Sequence, residues 1–282
     1  VHLAHATHAS RRNHILHYRV LVLRRKVEQH DHAIRQDDQL AGLQRLPDVD
    51  RRLVVRRAII VMGRVIHVRH DLLAVAGFCI ARGTLTVAGR TDAGVHASGQ
   101  VAHADIPAAS LDQRSIEGDP GRLVRRLAKL LDEDVRVFGV SRAPEGFDAR
   151  FSALTRTYVY RVTTHPAGAA PSRARDTAVW PKPVDLHAVQ ACADALVGLH
   201  DFAAFCRPKP HATTIRDVHS FTWSEVEPMV YEARITADAF CWNMVRALVA
   251  TCLTVGQGRR GPQWPEELLL LDARSAEVPL AP

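Results

Sequence analysis

The densest concentration of chemically capable residues is the run Gly89-Arg90-Thr91-Asp92-Ala93-Gly94. Asp92 sits between glycines in a segment with no apolar pattern of its own, and glycine lets a backbone turn tightly and a substrate approach closely. Arg90, two residues away, favours the ionised carboxylate, which is the form that a nucleophile or a stabiliser of positive charge needs. The same six residues also suit a surface turn with an Asx cap, so the turn alone leaves both readings open.

Two further features carry chemistry. The segment Cys241–Val255 reads as an apolar helix interrupted by Arg246. A buried arginine is costly unless paired, which points to an acid from elsewhere in the chain; an arginine snorkelling from a helix edge fits the periodicity equally well. In Arg156-Thr157-Tyr158-Val159-Tyr160-Arg161, strand alternation places Tyr158 and Tyr160 on one face. Tyrosines with flanking arginines can stack on a base and hold phosphate, or the rings can simply pack in a core.

The elements that position these residues are legible from about residue 84. Thr84–Ala88 alternates like a strand and leads into the Asp92 turn, and Gly99–Ile106 reads as the next strand. Asp119-Pro120 opens a helix whose apolar face is Leu123, Leu127, Leu130 and Leu131. Strands are expected at Val135–Val140, Tyr158–Thr163, Ile215–Glu225 and Tyr231–Ala237, helical spacing over Leu186–Leu199, a loop over 167–175 and a short helix over Pro265–Leu271. Strands and helices without a regular βαβ rhythm indicate an α+β fold.

Residues 1–83 differ in character. In the first 80 residues, 14 Lys/Arg stand against 7 Asp/Glu, and nine of the sixteen histidines lie there; residues 81–282 hold 23 of each charge. The net charge of +7 therefore resides entirely in the first 80 residues, and a nucleic-acid surface elsewhere must be a local patch. Val20–Leu23 and Val54–Ile66 are strand-like runs broken by arginines. The clustered histidines lack a completing Cys or carboxylate pattern, so no metal site is expected. No apolar run reaches the ~18 residues of a membrane span, and no secretory leader is recognisable. The five cysteines form no C-x-x-C pair, so neither a zinc site nor a disulfide framework is expected, and a reducing cytoplasm is the expected compartment.

Taken together, these residues resemble a known family. Gly-Arg-Thr-Asp-Ala-Gly-Val-His-Ala at 89–97 and Gly-Gln-Val-Ala-His at 99–103 look like the active-site segment of the bacterial tRNA pseudouridine synthase I (TruA) family. The resemblance continues in order through Phe147–Ala153, the Arg-x-Tyr-x-Tyr run, Leu199–Phe202 and Ala239–Arg246, and spans about residues 84–272. It implies an α+β pseudouridine synthase fold, an antiparallel sheet with flanking helices bearing a basic RNA-binding cleft. It implies isomerisation of uridine to pseudouridine at positions 38, 39 and 40 of the tRNA anticodon stem-loop, without metal or organic cofactor, by a homodimer. The catalytic aspartate of the family falls on Asp92, the base-stacking tyrosine on Tyr158, the turn arginine on Arg90, and the arginine pairing with the aspartate on Arg246.

The resemblance divides the chain into residues 1–83, an atypical basic segment; 84–166, the N-terminal catalytic part; and 167–282, the C-terminal part of the same domain. The family's opening Tyr-Asp-Gly strand and Phe-x-Gly-Trp are not found before residue 84, and its closing Gly-Leu-x-Leu strand would follow Ala281-Pro282. Residues 1–83 are accordingly read as the product of a wrong frame or start, the alternative being a genuine basic extension that grips RNA. Two functional alternatives stand beside the active synthase: a non-catalytic RNA-binding protein, and a defective, truncated homologue.

Overall fold

The computed structural model describes residues 16–21, 55–63, 85–89, 95–107, 111–132 and 135–282, with backbone alone for the first two stretches and for 106–107. The strands are β1 (Leu16–Leu21), β2 (Val55–Gly63), β3 (Thr86–Val87), β4 (Val95–Pro107), β5 (Arg136–Arg142), β6 (Thr155–Thr163), β7 (Ala178–Val179), β8 (Gly198–Asp201), β9 (Ile215–Glu227) and β10 (Val230–Ala237). The helices are α1 (Leu123–Leu130), α2 (Leu186–Asp194), α3 (Met244–Gly256) and α4 (Trp264–Leu269). The strands form one sheet in the order β5-β2-β4-β1-β6-β10-β9-β8, with β3 added to β4 and β7 to β6. Pairing is antiparallel except for β1 with β4 and β6 with β7, which are parallel. Two strands thus come from the atypical segment: β1, between β4 and β6, which shares only Val20 and Leu21 with the run Val20–Leu23, and β2, between β4 and β5, which lies within Val54–Ile66.

Period-two patterning sets the faces of the central strands. Tyr160 and Val162 of β6 point into the main core, as do Ala233, Ile235 and Ala237 of β10, and Tyr160 and Tyr158 are registered opposite Ala233 and Ile235. Buried residues of β9 fall at Val218, Phe221 and Trp223; the change of phase matches a register shift between Thr236 and Ala237 in its partner. Helices α2 and α3 pack on this core, which is completed by Phe202 and Phe205, by Trp264 and Leu268 of α4, and by Val278 and Ala281. Asp185 caps α2 by accepting from the His187 and Ala188 amides, which meets part of the helix's demand for acceptors. Among the residues of α3, every one but Arg246 is buried, and the Thr251 and Thr254 hydroxyls satisfy themselves on the Ala247 and Ala250 carbonyls one turn back. The helices meet closely at Gly256, where a Cβ would lie 2.3 Å from Val189 Cγ2.

Strand β4 serves two smaller clusters from its two faces. Ala102 and Ala104 pack with Leu123 and Leu127 of α1 and with Val137 and Val140 of β5. Ala97 and Val101, on the opposite face, pack with Phe147 and Ala149. Asp119 starts the α1 segment as expected, accepting from the Gly121 amide at a 3₁₀ turn, Pro120–Arg122, ahead of the helix. Leu130 is 47% exposed, so the apolar stripe of α1 is narrower than its leucine spacing suggests. The helical spacing over Leu186–Leu199 ends at Asp194, because Gly198 at φ +117° turns the chain and Leu199 enters β8. Cys206 and Cys241 lie side by side, with Cα atoms 5.7 Å apart. Among the described residues no helix is long and apolar enough to cross a membrane.

Candidate active site

Asp92 and Arg90 lie outside the described residues, but both flanks of their turn are firmly held. On the near side, the Ala88 amide donates to the Val101 carbonyl at 2.8 Å. The buried Gln100 side chain donates from Nε2 to the Gly89 carbonyl at 2.7 Å. On the far side, the buried His96 donates a ring N–H to the Arg175 carbonyl at 3.1 Å.

Arg156, at the start of the Arg-x-Tyr-x-Tyr run, ties three loops together. Its guanidinium donates to the carbonyls of Asp238 at 2.9 Å, Arg150 at 3.0 Å and Ala88 at 3.4 Å. Arg161 at the other end pairs with Glu232, its registered partner across the sheet. Both flanking arginines are thus engaged within the protein, Arg156 by backbone carbonyls and Arg161 by a carboxylate. The two tyrosines separate as well. Tyr160 is buried at 1% exposure, while Tyr158 is half-buried and meets Phe240 edge to face, with ring centroids 5.0 Å apart.

Tyr158 and Arg246 line one cavity of about 730 Å³, and Val95, the first described residue after the Asp92 turn, lines it too. Arg246 reaches it from the first turn of α3, half-buried, and its Nε donates to the Ala281 carbonyl at 2.6 Å. The Tyr160 hydroxyl donates to the Pro282 backbone oxygen at 2.6 Å. Burial pushes that hydroxyl well above the usual tyrosine range, and the Arg246 cation beside it offsets part of the effect. Tyr160 is thus a neutral donor beside a fixed positive charge.

Four more cations line the cavity: Arg150, Arg207, Lys209 and Arg216; no acidic side chain does so among the described residues. Sequence reasoning met Arg150 only as a member of the Phe147–Ala153 motif and passed over the other three, since the charges of residues 81–282 cancel in sum. The signal present was the proline-punctuated basic run Arg207-Pro208-Lys209-Pro210. Arg150 belongs to the Phe147–Ala153 motif, a turn closed by Asp148, whose carboxylate accepts from the amides of Arg150 and Phe151 at 2.8 and 3.0 Å. Asp201 in the Leu199–Phe202 motif anchors the loop that follows, accepting from the Thr214 hydroxyl and the Ala203 amide. Four of the quoted motifs, through Val95, Arg150, Tyr158 with Tyr160, and Phe240–Arg246, therefore supply walls of one basic cavity.

A family profile described as tRNA pseudouridine synthase matches residues 192–282. The chain is 64% identical over 202 residues to tRNA pseudouridine synthase A of Corynebacterium glutamicum, covering 70% of each chain. It is 52% identical over 198 residues to the protein of the same name from Frankia casuarinae, covering 70% of this chain and 69% of that one. Against the Mycobacterium leprae protein of that name it is 50% identical over 204 residues, covering 70% and 71%. With four of the collinear motifs gathered on one cavity and relatives this similar over two thirds of their length, the chain belongs to the TruA family of tRNA pseudouridine synthases, which are isomerases.

Proposed function

We propose that this chain isomerises uridine to pseudouridine at positions 38, 39 and 40 of the tRNA anticodon stem-loop, with Asp92 as its catalytic carboxylate. The observation that carries the reading is the shared cavity: Tyr158, Arg246 and the residue that leaves the Asp92 turn line one basic concavity. The reaction breaks the uracil N1–C1′ bond, turns the base over, joins C5 to C1′ and releases the C5 proton as N1 takes one up. It transfers no electrons to or from the substrate, so it calls for no redox cofactor.

Positive charge develops at the ribose as the glycosidic bond breaks. Asp92 can meet it by attacking C1′, by stabilising it through space, or by assisting proton removal at C2′. Arg246 and Arg90 keep such a carboxylate ionised. The target base must leave its stack to be reached, and Tyr158 offers a ring to receive it. Tyr158 also serves to help remove the C5 proton at the end of the reaction, its hydroxyl passing a proton on to water as it receives this one. The five cations of the cavity suit a phosphate backbone. The reading includes a homodimer working in the cytoplasm, with residues 84–166 and 167–282 as two parts of one catalytic domain.

The test is release of tritium from C5-labelled uridine in tRNA that lacks pseudouridine. The wild-type protein releases it and Asp92→Ala does not, while both bind the tRNA. An active Asp92→Ala protein refutes the catalytic assignment, and wild-type protein that binds without releasing tritium points to the non-catalytic RNA-binding alternative.

A further inference from the structure

Trp242 is an apolar residue in an expensive place. It lines the basic cavity yet is 53% exposed, although a tryptophan gains by burial. The Arg207 guanidinium lies over its ring, 4.4 Å from the centroid, within the range of a cation–π contact. Arg207 has no carboxylate partner among the described residues.

The pair is held by a backbone link between its own two segments. The Arg207 amide donates to the Trp242 carbonyl at 2.9 Å. The preceding residues, Cys206 and Cys241, also lie side by side, with Cα atoms 5.7 Å apart. Asn243, directly after Trp242, is left-handed at φ +69° before α3 begins, a conformation that costs a non-glycine residue free energy. Phe240, two residues before Trp242, is the ring that meets Tyr158. A cation and an aromatic ring are thus fixed side by side, half open to the cavity, on the segment that also supports the base-stacking tyrosine.

We propose that Arg207 and Trp242 form a second stacking platform, which receives an unpaired RNA base next to the target uridine while the guanidinium holds the adjoining phosphate. This rests on the reading that the cavity takes RNA. The chemistry is that of single-strand recognition, where bases stack on aromatic rings and arginine planes. At about 730 Å³ the cavity lies well within the ~300–1,000 Å³ of small-ligand sites and leaves room beyond one flipped base.

The experiment titrates the full-length protein with a synthetic RNA of the anticodon arm and follows tryptophan emission and Kd at several salt concentrations. RNA quenches emission in the wild type, and Trp242→Phe removes most of that quench. Trp242→Ala weakens binding about tenfold, the loss expected for one stacked base, and leaves the salt dependence unchanged. Arg207→Ala also weakens binding and lowers the slope of log K against log salt by about one phosphate contact. A thermal melt checks that each variant is folded. Trp242→Ala binding as tightly as the wild type overturns the platform, as does a quench that survives in Trp242→Phe. Wild-type protein that binds with the quench but forms no pseudouridine overturns the catalytic reading and supports the platform.

Discussion

Removing the Arg156 side chain should damage activity far more than stability. Its guanidinium joins the carbonyls of Ala88, Arg150 and Asp238, which lie ahead of the Asp92 turn, in the turn capped by Asp148, and just past β10. A hydrogen bond to a charged group contributes about 1.5–3 kcal/mol when sheltered. The bonds to Arg150 and Asp238 are exposed, so water replaces them cheaply, and the part-buried one to Ala88 is the longest at 3.4 Å. The net stability loss in Arg156→Ala is therefore about 1–2 kcal/mol, a drop of a few degrees in Tm for a chain of this size. Catalysis is more sensitive, because a misplacement of ~1 Å costs about 100-fold, and the cavity-lining Arg150 loosens together with the segments at Ala88 and Asp238. Tritium-release kinetics should show kcat/KM falling by about that factor. Arg156→Lys keeps the charge but cannot fork to three acceptors, so it recovers stability and little activity. An Arg156→Ala enzyme within about threefold of the wild-type kcat/KM would refute the idea that this arginine positions the site.

Gly256→Ala places a methyl 2.3 Å from Val189 Cγ2 and 3.3 Å from the Asp185 carbonyl; it should destabilise the protein by about 1–3 kcal/mol through overpacking, read as a shifted denaturation midpoint. Tyr160→Phe should cost about 1 kcal/mol at neutral pH by removing the bond to Pro282. Because burial raises the folded-state pKa of Tyr160 above its ordinary value of 10.0, its contribution is complete below pH 10 and declines as pH rises beyond that, when the unfolded chain ionises first. Denaturation series from pH 8 to 11 should thus show a flatter alkaline decline in Tyr160→Phe than in the wild type, and parallel profiles would refute this assignment.

What could be read from the sequence depended on whether the causal interaction was local. The α1 start at Asp119-Pro120 and the alternation of β6 and β10 follow from short-range patterns, and the structure bears them out. The end of α2 was misread because one glycine outweighs the apolar spacing that continues to Leu199. Arg161 looked like a phosphate ligand because its partner Glu232 is assigned only by the register of β6 against β10. The approach of Cys206 to Cys241 brings together residues 35 apart with no pattern between them. The basic cavity was invisible to composition for a related reason. A sum of charges holds no positions, and a segment with 23 of each sign still gathers five cations on one concavity.

The pairing of Tyr160 with Arg246 shows why an arginine was needed on a helix that is otherwise buried. A half-buried guanidinium loses hydration, and that loss must be offset by partners. Nε finds the Ala281 carbonyl, a neutral acceptor that leaves the charge in place. The nearby Tyr160 could have cancelled that charge as a phenolate, but burial keeps it protonated at any working pH. Arg246 thus presents its guanidinium at the cavity wall beside a neutral hydroxyl. A carboxylate brought beside it stays ionised, and the arrangement suits an aspartate that must meet positive charge at a ribose carbon. The same logic predicts that Arg246→Lys retains the charge yet loses the planar fork that serves Ala281 and the cavity together.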